Sequence, residues 1–188
     1  MDVVVTVAAL AVSLMALLFT IASFWWLHAR TGRLTATRPR AYAFANHVRL
    51  RLPLAFFNTG AKALIIEDLQ LIVDTDPTRP PLRWEWTRAL LRPGANDGFA
   101  FATPFAVQGR STTEVIAEFG DDLGWSPLPG AEHQLRLQAV VHPDQEWVDV
   151  VAFAWWAPST KEAMSQYIAY RNAPDADATG AQTGAHKP

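Results

Sequence analysis

The chain has 188 residues, 50% of them hydrophobic and 18% charged, with a net charge of −2 and no cysteine. That length fits one ordinary domain plus an appendage rather than a multidomain enzyme, and the missing cysteine excludes disulfides, thiolate metal sites and cysteine nucleophiles. Eight Trp and ten Phe supply ample apolar mass for a core, which excludes a wholly disordered chain.

From Val3 to Leu27 no side chain is charged. At about 1.5 Å per residue this stretch can cross a hydrocarbon layer of roughly 30 Å with some tilt. Trp25 and Trp26 close it, where amphipathic rings favour the headgroup level. A cleaved signal peptide fits poorly, because Met1-Asp2 carries no Lys or Arg and the apolar stretch is too long. Residues 1–29 are therefore expected to form a transmembrane anchor in the lipid bilayer. Arg30, Arg33, Arg38 and Arg40 follow it, whereas only the terminal amine and Asp2 precede it. The positive-inside bias then predicts an external N-terminus and a cytoplasmic remainder, with export of the following domain as the alternative.

Residues 30–40 read as a basic juxtamembrane linker, able to lie against anionic headgroups. Residues 41–188 hold 12 basic and 17 acidic groups. An acidic excess of that size lacks the footprint of a nucleic-acid binder, so no nucleic acid is expected as a partner.

Beyond the linker the apolar period becomes two, the spacing of a half-buried strand. Val48, Leu50, Leu52, Leu54 and Phe56 alternate with more polar positions, and Pro53 calls for an edge or a bulge there. Asn58-Thr59-Gly60 is a turn. Ala63 to Val73 is a second long strand, bulged near Glu67. Leu82, Trp84 and Trp86 share the inward face of a third. Turn residues at Pro93–Gly98 separate it from Phe99, Phe101 and Phe105, interrupted at Pro104. Further strands run over 111–119, with Glu114 and Glu118 on one face, over 135–141, and over 147–156. Seven or eight short strands with turns between them predict a mainly β chain, with an antiparallel, immunoglobulin-like β-sandwich over 41–157. Pro158, Ser159 and Glu162 signal a capped amphipathic helix over 158–171, and the polar 172–188 is expected to be a disordered tail.

Chemistry-bearing patterns are sparse. Five histidines (28, 47, 133, 142 and 186) lack metal-ligand spacing, and His47 and His133 read as solvent-facing strand residues. Ser111 lacks the flanking glycines of a nucleophile elbow and reads as a turn residue. Asp74 with Asp76, and Asp121 with Asp122, suit solvated turns better than calcium ligation. Glycine-rich phosphate loops are absent. The expectation is therefore no catalytic, cofactor or metal site. The remaining candidate for a ligand or partner surface is Trp155 and Trp156, which must face opposite ways on one strand.

The stretches Pro53–Gly60, Ile66–Leu71 and Pro104–Thr112 resemble those of uncharacterised bacterial single-pass membrane proteins, in which one N-terminal helix precedes an immunoglobulin-like sandwich. The resemblance covers most of residues 1–157, lies in architecture and turn phrases, and carries over no functional residue. Together these readings predict a membrane-anchored interaction or assembly module that is not an enzyme, with another protein as partner. The alternative is a tethered sandwich that binds a sugar or peptide. Oligomeric state is not legible in the sequence.

Overall fold

The computed structural model describes residues 2–45, 49–76, 78–94, 97–120, 125–160 and 168–174. Helix α1 (Asp2–Phe24) continues through a π-helical turn at Trp25–Ala29. Val3–Ala29 is long and apolar enough to cross a membrane, and none of its apolar window is buried against the rest of the chain. Two of its hydroxyls are satisfied within the helix: Ser13 Oγ donates to the Ala9 carbonyl at 2.9 Å and Thr20 Oγ1 to that of Ala16 at 2.8 Å. This internal bonding is what a hydrocarbon environment requires of polar groups.

The remainder is an antiparallel sheet. Among the described residues it has eleven strands: β1 (Leu34–Ala36), β2 (Ala41–Ala45), β3 (Arg49–Asn58), β4 (Leu64–Val73), β5 (Leu82–Arg88), β6 (Phe99–Phe101), β7 (Phe105–Val107), β8 (Thr112–Gly120), β9 (Glu132–Val141), β10 (Trp147–Trp156) and β11 (Ile168–Arg171). The main path runs β10-β9-β4-β5-β8-β3-β2-β11, with β1 beside β3, β6 beside β5 and β7 beside β4. Strand β5 is the corner. It pairs with β4 only through Leu82 and Arg83, then with β8 from Arg83 to Arg88, so the sheet curls into a half-barrel. The inward positions of each strand fill the interior, among them Leu52, Phe56, Leu71, Phe119, Leu137 and Trp155, each 0% exposed. The two ends of the path meet through side chains instead of a ladder. Tyr42 Oη on β2 donates to the Trp156 carbonyl on β10, and Asn172 Oδ1 accepts from the Trp156 N–H at 3.0 Å.

Several expectations change. The linker is not free: Leu34–Ala36 pairs with Phe56–Asn58 as a strand of the sheet. The terminal helix is not found where the chain is described, since Ile168–Arg171 is a strand paired with Ala41–Phe44; residues 161–167 lie outside the described residues. Asn172 belongs to the fold, because its Nδ2 donates to the carbonyls of Ala154 and Pro39 at 2.8 and 3.1 Å. The rest of the tail, 175–188, lies outside the described residues.

The bulge predicted near Glu67 is present between Ile66 and Asp68. Strand β3 lies inside the sheet, but at Pro53 it pairs with β8 alone, which makes the local edge that proline calls for. Pro53 falls where β1 has ended and β2 has not begun, so the missing N–H leaves no ladder bond unmade. Trp86 departs from the face of Trp84. A bulge at Glu85 sets Trp84 opposite inward Phe119 but Trp86 opposite outward Glu118.

Candidate functional site

The base of the sheet clasps the end of the helix. Asn58, fully buried, donates from Nδ2 to the Lys62 and Val107 carbonyls at 2.7 and 3.1 Å and accepts from the Gly60 N–H at 2.9 Å, which fixes the β3–β4 turn. That turn grips the chain leaving the helix: the Ala61 N–H donates to the Arg30 carbonyl at 2.8 Å, and the Arg33 N–H to Thr59 Oγ1 at 2.9 Å. Gly32 and Gly60 lie backbone to backbone, so a Cβ on either would collide with the other.

From the β7–β8 turn, Arg110 Nη2 donates to the Trp26 carbonyl at 2.5 Å, while Arg30 lies 4.4 Å from the centroid of the Trp26 ring. Trp25, Trp26 and Arg30 thus sit together at the helix end, and Arg33 follows three residues on, in the clasp. Arg38 and Arg40 do not join them. They fall between β1 and β2, beyond Ala36 and its partner Phe56, climbing the flank of the sheet away from the helix.

The outward face of β3, β8 and β5 holds a cluster that sequence reasoning missed. Arg51 and Glu118 are directly opposed across β3 and β8 and are 1% and 0% exposed. Glu118 Oε2 accepts from Arg51 Nε and Nη2 at 3.1 and 2.9 Å and from Arg88 Nε at 2.9 Å; Oε1 accepts from Arg88 Nη2 and Arg49 Nη1 at 2.9 and 3.2 Å. At least five donors occupy its two oxygens, so this carboxylate is an anchor and not a free base. Arg51 Nη1 also reaches Asp97 at 2.8 Å and the Leu90 carbonyl at 2.5 Å, strapping the β5–β6 loop over the cluster. The legible signal was the opposite charge on two outward faces, which alternation alone assigns to solvent.

Beside the strap stands an aromatic ledge. Phe101 stacks on Trp86 with centroids 4.5 Å apart and Phe99 meets Trp86 edge-on at 5.2 Å, with the Arg88 guanidinium 5.1 Å from the Phe99 ring. Phe99 and Phe101 are nevertheless 64% and 71% exposed. The same face holds a hollow of about 480 Å³ bounded by Pro53, Ile116, Thr87, Arg88 and Glu114.

The two candidate tryptophans separate. Trp155 is wholly buried against Tyr42, Phe44, Trp125 and His133, so it belongs to the core and is no ligand surface. Trp156 is half-buried and faces a groove of about 810 Å³ at the seam where the sheet's ends meet, together with Arg38, Pro39, Arg40 and Asn172.

Of the minor candidates, Ser111 is a turn residue bonded to the Gln108 carbonyl, and Asp74 is paired with Arg136 at 2.7 Å. No cluster of metal-ligating side chains occurs among the described residues, which exclude His47, Asp121, Asp122 and His186.

His133 does not face solvent as expected. It shares the inward side of β9 with Leu135 and Leu137, and burial pushes its imidazole below the usual value of 6.5, against a backbone hydrogen bond at Leu128. The unfolded chain therefore takes up a proton first as pH falls. The stability contributed by neutral His133 is complete above about pH 6.5 and is lost on acidification through the folded value. Thermal midpoints of His133→Gln should fall less steeply than wild type below that pH. Parallel profiles would show that His133 titrates as it does in the unfolded chain.

No protein-family model and no curated protein sequence matches the chain. Among solved structures it is similar to Spo0M, a sporulation control protein from Bacillus subtilis, with 11% identity and a TM-score of 0.32 over 68% of this chain and 48% of that one. It is also similar to a protein from Archaeoglobus fulgidus, with 8% identity and a TM-score of 0.27 over 66% of this chain and 92% of that one. The chain spans about half the length of Spo0M.

Proposed function

We propose that the chain is a single-span membrane-anchored module that binds another protein and carries out no chemistry of its own. The observation that carries this reading is the aromatic ledge. Two exposed phenylalanines lie on a three-residue edge strand, backed by Trp86 and by Arg88, whose position the buried ions fix. Aromatic and Arg side chains held rigid on a surface are what protein interfaces draw on. The apolar, unburied helix supports anchorage, and the run of Arg after it supports a cytoplasmic β-domain. We take the curled sheet as an immunoglobulin-like sandwich whose layers join at β5.

The test places a photoreactive phenylalanine at Thr103, exposed two residues beyond Phe101, in cells expressing the full chain. One discrete adduct with another protein is expected, and it should disappear when Phe99→Ser and Phe101→Ser are combined. Because both rings are exposed, that pair should cost no more than about 1 kcal/mol of stability. Absence of any adduct with another protein rejects the reading.

A second reading, binding of a sugar or peptide, is favoured by the seam groove, where Trp156 offers a ring face and Arg38 and Arg40 offer cations. Tryptophan quenching by an acidic oligosaccharide that is lost in Trp156→Ala, with no adduct at Thr103, would favour it.

A further inference from the structure

We infer that Trp26, Arg30 and Arg110 form a site for the phosphate of an anionic phospholipid headgroup. The inference rests on the membrane-spanning reading of the helix. Arg110 comes from the β7–β8 turn, 84 residues along the chain, yet its guanidinium is hydrogen-bonded to the Trp26 carbonyl. Trp26 lies inside the apolar stretch that would span, so a helix in the bilayer draws Arg110 to the boundary between acyl chains and headgroups. Arg30 is drawn there too, by its contact with the Trp26 ring.

Two guanidiniums therefore converge at one depth, and among the described residues neither has an ion-pair partner. A guanidinium carries five N–H donors, and the Trp26 carbonyl takes one from Arg110. Phosphate oxygens at headgroup depth match the donors that remain. Arg33 and Lys62, both exposed in the clasp, add positive charge at the same end. Asp144 and Glu146 also lie at this end but in the β9–β10 turn, beyond β4, while Glu67 is taken by His142 at 2.7 Å.

The backbone of Arg110 supplies an independent observation. Its φ is +54°, a left-handed conformation that a side chain other than glycine adopts at a cost. A glycine would fit this turn more easily, yet the position carries a long cationic side chain whose far end reaches the helix.

The test uses the full chain reconstituted in bilayers that mix phosphatidylcholine and phosphatidylglycerol, with either lipid brominated to quench nearby tryptophans. Brominated phosphatidylglycerol should quench the helix-end tryptophans more than brominated phosphatidylcholine at equal content. Arg110→Gly should reduce that preference about fivefold, as expected for removal of one surface cation, while leaving the thermal midpoint equal or higher because the turn relaxes. Arg30→Gln should reduce it to a similar extent. Equal quenching by the two lipids in wild type overturns the site. So does an Arg110→Gly variant that is less stable but keeps the preference, since Arg110 would then be only a helix clamp. Release of the protein from membranes by alkaline carbonate would instead show that the spanning reading itself fails.

Discussion

Replacing Glu118 with alanine should destabilise the β-domain by about 3–5 kcal/mol, the cost of leaving buried charges without their partner. The Arg51 side chain is 1% exposed and that of Arg88 12%, and without Glu118 the carboxylate left to them among the described residues is Asp97 on the strap. Denaturant unfolding of the detergent-solubilised chain, followed by near-ultraviolet circular dichroism, measures the loss. The combined change Arg51→Met and Glu118→Leu should recover much of it, because an apolar pair carries no desolvation penalty. A Glu118→Ala midpoint within error of wild type would mean that water reaches the cluster and screens it.

Trp155→Ala should cost a similar 3–5 kcal/mol, through lost burial and the cavity left behind. The indole is the hub of a ring cluster, with centroids 5.1–5.6 Å from Trp125, Tyr42, Phe44 and His133. Trp155→Phe should cost much less, because the buried Nε1–H has no acceptor among the described residues and deleting it removes an uncompensated desolvation. The same unfolding experiment decides between core and ligand platform. A platform tryptophan would tolerate truncation with little change in midpoint.

The strands were legible because alternation survives in single sequences. Leu50, Leu52, Leu54 and Phe56 are inward as read, and Glu67 sits at the bulge that the slipped pattern implied. What failed was anything set by distant partners. Leu34–Ala36 has too short a pattern to announce a strand, and becomes one because β3 offers it an edge. Ile168 and Tyr170 suit a helix stripe as well as a strand face, and pairing with β2 decides between them. Trp86 turned outward because of a single bulge residue. Arg51 and Glu118 had the look of a solvated face until a loop nearly forty residues from Arg51 closed over them. Arg110 gave no signal at all, since nothing local relates it to Trp26.

The backbone contact between Gly32 and Gly60 has a consequence for how an anchored β-domain would find its partner. A domain on a loose tether sweeps a hemisphere, whereas one clasped at the helix exit stands at a set height. Glu118, level with Phe101 across β5, is six residues along β8 from the basal Thr112. At roughly 3.3 Å per residue the ledge would be held about 20 Å above the base. A partner projecting its own contact surface to that height from the same bilayer would meet the ledge by lateral diffusion alone, already in register. One lying flat on the lipid would pass beneath it.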